Sequence, residues 1–164
     1  QVDDDPATEV FVAGTSSVRA LDGAAGAPEW TRSLSNARVR TTGDADADGT
    51  TELYVGTVDG EVLALDARTG ETEWSATVST ASDDTVPPPV LGDVDGDGRR
   101  EVVGVTHAGE VVVLDPGSGT ELARYERNVP VWTFATPADV DDDDRAEVLV
   151  RYGDGRVVAL DYAA

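Results

Sequence analysis

Three stretches of this sequence place carboxylates at every second residue: Asp44, Asp46 and Asp48; Asp93, Asp95 and Asp97; Asp139, Asp141 and Asp143. Counting each first Asp as position 1, position 9 is again acidic (Glu52, Glu101, Glu147), and position 7 (Thr50, Arg99, Arg145) can add a main-chain carbonyl. Ca²⁺ is a hard cation that takes six to eight oxygens, and alternate acids in a tight loop can converge on one point. The spacing predicts three Ca²⁺ sites built from these fifteen residues. With 33 acids among 164 residues, one window would meet all four acidic positions by chance roughly twice in a thousand. Three matches at regular intervals are not chance. An EF-hand is the rival reading, but its acid at position 12 is replaced by Val55, Gly104 and Val150. Gly49 and Gly98 permit the sharp turn at position 6, where the last loop has Asp144. A fourth, earlier loop keeps Asp3, Asp5 and Glu9 but has Gln1 and Pro6 at the positions of the first Asp and the Gly, so it reads as weaker or empty.

What must hold such loops is a repeated strand pattern. Each position-9 Glu heads a run of β-branched and apolar residues, then a turn, then a second run ending in Leu-Asp: Glu52 to Thr57, Asp59-Gly60, and Glu61 to Asp66 is the clearest copy. Glu9, Glu52, Glu101 and Glu147 lie 43, 49 and 46 residues apart, within the ~40 to 50 residues of propeller blades. Asp59-Gly60 and Asp154-Gly155 predict two-residue hairpin turns. Thr69-Gly70 and Ser118-Gly119 mark a further turn before an outer strand, and Val129 to Phe134 reads as a strand entering the last acidic loop. The chain is thus expected to be all-β, a single β-propeller repeat domain of about four antiparallel blades at roughly 1–36, 37–85, 86–128 and 129–164, with a strand lacking from each terminal blade. Four blades closing a small ring, two chains pairing into a larger one, and a segment of a longer propeller all remain open.

The Gly43 to Gly49 loop and its counterparts resemble FG-GAP and VCBS repeats, the calcium-bearing blades of integrin α-chain propellers. The stretch from Tyr54-Val55-Gly56-Thr57 through Leu65-Asp66-Ala67-Arg68-Thr69-Gly70 to Trp74 resembles the PQQ-like repeat of quinoprotein dehydrogenases and their non-catalytic relatives. Both resemblances imply a propeller. They say little of activity, because propellers carry many unrelated functions.

Charge narrows the function classes. Thirty-three acids face 12 basic residues, a formal net charge of −21 that argues against nucleic acid as a partner. All 12 basic residues are Arg, and the acid excess continues outside the loops at Glu71, Glu73, Asp83 and Asp84, a bias suited to a high-salt, halophilic setting. There is no Cys, hence no disulfide or thiolate site. No apolar run approaches the ~20 residues of a membrane span, and Gln1 to Asp5 is not a signal peptide.

Other chemistry-bearing residues read as structural. His107, the sole histidine, sits beside the Ala108-Gly109 turn without a second His or acid at triad spacing. Trp30 and Trp74 occupy equivalent positions and read as packing between blades. Trp132 has no counterpart; it reads first as core, with stacking on a ligand near the propeller axis as the alternative. Pro87-Pro88-Pro89 reads as a stiffener leading into the third blade. The expectation is a Ca²⁺-bearing, extracellular or cell-surface module without a catalytic centre, which binds a protein or glycan ligand and can form homo-oligomers. A fragment of a PQQ-dependent quinoprotein dehydrogenase and a structural subunit of a surface assembly are the alternatives.

Overall fold

The Glu-headed segments each fold into one antiparallel sheet, because a run whose side chains alternate between two faces needs a partner along each edge and cover on both faces. In the computed structural model, which describes residues 2, 7–81 and 84–162, blade 1 is β1 (Val10–Ala13), β2 (Ser17–Leu21) and β3 (Pro28–Ser33). Blade 2 is β4 (Arg38–Gly43), β5 (Glu52–Gly56), β6 (Glu61–Asp66) and β7 (Thr72–Thr77). Blade 3 is β8 (Val90–Gly92), β9 (Glu101–Val105), β10 (Glu110–Leu114) and β11 (Glu121–Glu126). Blade 4 is β12 (Thr136–Ala138), β13 (Glu147–Arg151) and β14 (Val157–Leu160). The all-β, four-blade expectation holds, and among the described residues the first and last sheets have three strands each.

Two local expectations are corrected. The central hairpins close on three residues rather than two: the Thr57 N–H donates to the Glu61 carbonyl at 3.0 Å, leaving Val58, Asp59 and Gly60 in the loop. Within it Gly60 takes the left-handed conformation (φ 77°) and Asp59 does not. A turn with one left-handed residue relieves the strand twist with a bulge, where a two-residue turn would need both. The strand entering the last acidic loop is Thr136–Ala138 rather than residues 129–134. Over 129–134, pairing is limited to a bridge between Val131 and Tyr152, and the ladder resumes at Thr136 opposite Leu149 with a shift in register.

Alternation along each strand serves two junctions at once. Leu53 and Val55 of β5 pack back on Val18 of blade 1, while Tyr54 packs forward with Val62 and Ala64 onto Val102, Val112 and Leu114 of blade 3. Val103, Val105, Val111 and Val113 then meet Val148, Val150 and Tyr152 of blade 4. β5 and β9 are accordingly buried at every residue. Trp30 and Trp74 join blades as expected: their Nε1–H groups donate to the carbonyls of Ala67 (2.9 Å) and Pro116 (2.6 Å) of the following blade. The described core clusters join blades 1 to 2, 2 to 3 and 3 to 4, and Val12 and Val157 on the outer faces of blades 1 and 4 are 45% and 66% exposed. Among the described residues no core cluster joins blade 4 back to blade 1, so these four blades form an open arc.

Candidate metal centres

The three acidic loops are the same connection in successive blades. Each leaves the innermost strand, at Gly43, Gly92 or Ala138, and returns to its partner across the ladder, Glu52, Glu101 or Glu147. The loops therefore lie at one end of the arc.

Within each loop the first Asp organises the turn. The N–H of position 6 donates to its Oδ2 in all three: Gly49 to Asp44 (3.1 Å), Gly98 to Asp93 (3.0 Å) and Asp144 to Asp139 (3.2 Å). The acid at position 5 accepts the position-7 N–H, with Asp48, Asp97 and Asp143 bonded to Thr50, Arg99 and Arg145 at 2.7, 2.8 and 3.0 Å. Asp46 and Asp95 likewise accept the N–H of Asp48 and Asp97. Positions 4 and 6 have positive φ throughout: Ala47 and Gly49, Gly96 and Gly98, Asp142 and Asp144. Asp144 thus takes the same turn as the two glycines, as Asp does more readily than most residues.

The position-9 glutamates are buried and share a bond that sequence reasoning did not foresee. Their Oε2 accepts the N–H of the residue seven earlier: Ala45 to Glu52 (3.4 Å), Val94 to Glu101 (2.9 Å) and Val140 to Glu147 (2.9 Å). Glu9 makes the same bond with Val2 at 2.7 Å, whereas Asp3 and Asp5 lie outside the described residues. The constant spacing of seven was the available signal.

Carboxylate oxygens converge within 4.8 Å of one another in each loop: Asp44, Asp46 and Asp48; Asp93, Asp95 and Glu101; Asp139, Asp141 and Glu147. Glu52 stands apart from its group. The Tyr54 hydroxyl donates to its Oε2 at 3.1 Å, a partner that Val103 and Leu149 cannot supply in the other two blades. Its Oε1 is buried with no hydrogen-bond partner. A buried anionic oxygen without a donor is costly, and a cation beside it removes that cost.

Electrostatics point the same way. Burial, with added repulsion from Glu73 and Asp46, pushes the Glu52 carboxyl up to about 7. Burial and the neighbouring Asp95 and Asp93 push Glu101 up too, and Asp143 above all raises the exposed Asp141. Arginines of the following blade approach two loops: a Cβ on Gly43 would stand 3.0 Å from Arg100 Nη2, and one on Gly96 would stand 2.8 Å from Arg145 Cγ. The donor set is all oxygen, carboxylate-rich and held in tight turns, which suits a hard divalent cation.

Elsewhere, His107 is half-buried and meets Trp132 edge to face, with ring centroids 4.2 Å apart. Trp132 itself is 66% exposed, so it is not core. Arg40 lies over the Phe134 ring at 3.8 Å nearby.

Four radially arranged antiparallel sheets, clipped together by tryptophans that follow Leu-Asp-x-x-x-Gly turns, define a β-propeller of PQQ-like repeats. The family model described as outer membrane protein assembly factor BamB matches residues 2–126. The chain belongs to that family. Its fold is similar to BamB from Moraxella catarrhalis at 28% identity and a TM-score of 0.66, over 93% of this chain and 43% of that one. It is also similar to the computationally designed Ika4 protein at 14% identity and a TM-score of 0.69, over 99% and 96% of the two chains. Quinohemoprotein alcohol dehydrogenase ADHIIG from Pseudomonas putida HK5 shares the fold at 19% identity and a TM-score of 0.57, over 88% of this chain and 27% of that one. The chain thus spans less than half the length of the BamB it resembles. Among curated protein sequences nothing matches.

Proposed function

We propose that this chain is a Ca²⁺-bearing propeller module, of the FG-GAP and VCBS kind in its loops, that serves as a protein-binding scaffold outside the cytoplasm of a halophile. The observation that carries the metal is the convergence of three carboxylates in each of three equivalent loops. The ligands assigned are Asp44, Asp46, Asp48 and Glu52 with the Thr50 carbonyl; Asp93, Asp95, Asp97 and Glu101 with that of Arg99; and Asp139, Asp141, Asp143 and Glu147 with that of Arg145. Ca²⁺ here is structural: it offsets carboxylate repulsion and holds one end of the arc rigid. Membership of a family described as an outer membrane protein assembly factor supports a scaffolding role and a place at or beyond the cell envelope. A protein ligand is favoured over a glycan for the same reason.

The quinoprotein reading is set below this one. Likeness to the alcohol dehydrogenase extends to fold, and the loop acids are engaged in turn hydrogen bonds rather than gathered around a substrate-sized cavity. Isothermal titration of chelated protein in high salt tests the proposal. About three Ca²⁺ should bind per chain, and chelation should lower stability by ~2.7 kcal/mol per site when the comparison is made at 100 times Kd. An unchanged melting curve on chelation would overturn it.

A further inference from the structure

We propose that a pocket at the inner edge of blades 2, 3 and 4 binds an acidic peptide of a partner protein, with Arg38 taking a carboxylate and Trp132 the ring beside it. The proposal rests on the scaffolding reading and deepens it by naming a surface. The pocket has a volume of about 360 Å³, and Arg38, Pro87, Pro88, His107, Trp132 and Phe134 are among its walls. These residues come from the start of β4, the connection between β7 and β8, the turn after β9, and the connection between β11 and β12. Three successive blades thus enclose it, away from the outer faces of blades 1 and 4. It lies at the end of the arc opposite the acidic loops, because Arg38 opens the strand that Gly43 closes and His107 follows the strand that Glu101 heads.

Hydrogen bonds between the connecting segments hold these walls in place. The His107 N–H donates to the Thr85 carbonyl (2.9 Å), the Ala108 N–H to Asp84 Oδ1 (2.8 Å), and the Val131 N–H to the His107 carbonyl (3.3 Å). Trp132 is gripped by the His107 ring on its edge and by Gly153, where a Cβ would stand 2.9 Å from its Nε1, yet the side chain is 66% exposed. Charge complementarity selects the occupant. No wall of the pocket is a carboxylate, in a chain with 33 of them. Arg124, Arg127, Arg145 and Arg156 each meet an acid. Among the described residues Arg38 bonds main-chain carbonyls alone, those of Asn36 and Ala37, and Arg40 lies over the Phe134 ring at 3.8 Å without an acid of its own. A fixed indole beside an arginine free of acids is the pairing that anchors protein interfaces. The volume is near the ~300 Å³ floor of small-molecule sites, and it suits two neighbouring side chains of an extended peptide.

The test is calorimetric titration of the 164-residue chain in molar KCl, which screens its charge of −21, with the blocked peptide acetyl-Ala-Phe-Asp-Pro-Ala-amide and its Asn counterpart. The Asp peptide should bind about tenfold more tightly, the ratio that one charge-assisted hydrogen bond supports. Arg38→Gln should abolish that ratio, while Arg19→Gln, at an exposed arginine of blade 1, should leave it unchanged. Trp132→Ala should weaken both peptides about tenfold. Arg38 and Trp132 are exposed, so far-ultraviolet circular dichroism should show each variant folded. In the parent chain the Asp peptide should shield Trp132 from acrylamide quenching, since Trp30 and Trp74 are already clipped between blades. No acid of the three loops lines the pocket, so a failure here is distinct from a failure of the Ca²⁺ titration. No binding at about 1 mM peptide, equal affinity for the Asp and Asn peptides, or a ratio that survives Arg38→Gln would each overturn the assignment. Phenylacetate bound as tightly as the Asp peptide would overturn it too, in favour of a small-molecule carboxylate.

Discussion

Trp74 lies over Gly119 of the next blade so closely that a Cβ there would stand 2.5 Å from its Cε3, while its Nε1–H donates to the Pro116 carbonyl at 2.6 Å. Trp30 repeats the arrangement over Gly70, where the corresponding approach is 2.7 Å, and bonds Ala67. Gly70 and Gly119 also hold φ of 73° and 69°, so each glycine is required both by its turn and by the indole above it. This clip is what the Thr-Gly and Ser-Gly dipeptides serve. At the third junction it is missing: Ala123 pairs with Val113 as Trp74 pairs with Ala64. A cavity of about 240 Å³ remains there, bounded by Ala123, Val148, Leu160 and Tyr162.

Ala123→Trp should therefore fill that cavity. Burial of an indole against Val148 and Leu160 is expected to raise stability by about 1 to 2 kcal/mol. Urea unfolding in saturating Ca²⁺ measures it, and a lower midpoint would show that the site cannot admit the ring.

Asp95→Ala should cost more stability than His107→Ala when both are melted in saturating Ca²⁺. The first removes a carboxylate from the converging group of the third blade, the second an edge contact with Trp132 worth about 0.5 to 1.5 kcal/mol. In chelator the order should reverse, since removing Asp95 then relieves repulsion on Glu101. The opposite order in Ca²⁺ would point to a role for the histidine.

Glu52 sets a pH dependence for the metal-free protein. Its carboxyl stands near 7 in the folded chain, above the ordinary 4.5, mainly through burial. The folded state thus binds the proton more tightly than the unfolded one. The stability this contributes is complete below about pH 4.5 and is lost as pH rises through about 7. In chelator, melts of the parent chain should fall across that window more steeply than those of Glu52→Gln, which has no proton to release. Equal slopes would remove Glu52 as the source.

Calcium and bulk salt should substitute for each other in part. Three bound Ca²⁺ would cancel six of the 21 net negative charges, and those six lie where the carboxylates crowd most. Across a grid of KCl and CaCl₂, the gain in melting temperature from KCl should shrink as Ca²⁺ rises without vanishing, because acids such as Glu71 and Glu73 lie outside the loops. Independent effects of the two salts would mean that the loops do not relieve the repulsion.

Local pattern carried much of this protein. Four Glu-headed hairpins, the acid spacing of three loops and the equivalence of Trp30 with Trp74 could all be read from sequence, since strand alternation and tight acidic turns are set by residues a few positions apart. Features that depend on contacts between distant segments could not. Glu52 turns toward the Tyr54 hydroxyl and leaves the converging carboxylates of its loop, while Glu101 and Glu147 stay with theirs. Trp132 stands exposed beside His107, and the strand before the last loop starts at Thr136, after a break in the ladder that follows the Val131–Tyr152 bridge. Above all, whether four blades close a ring is decided by the angle at which packed sheets meet, a sum over three side-chain junctions that no single repeat encodes. Tertiary packing also decides burial: Val55 and Val62 lie between blades and are fully buried, while Val12 and Val157, which repeat them on the outer faces of blades 1 and 4, are 45% and 66% exposed.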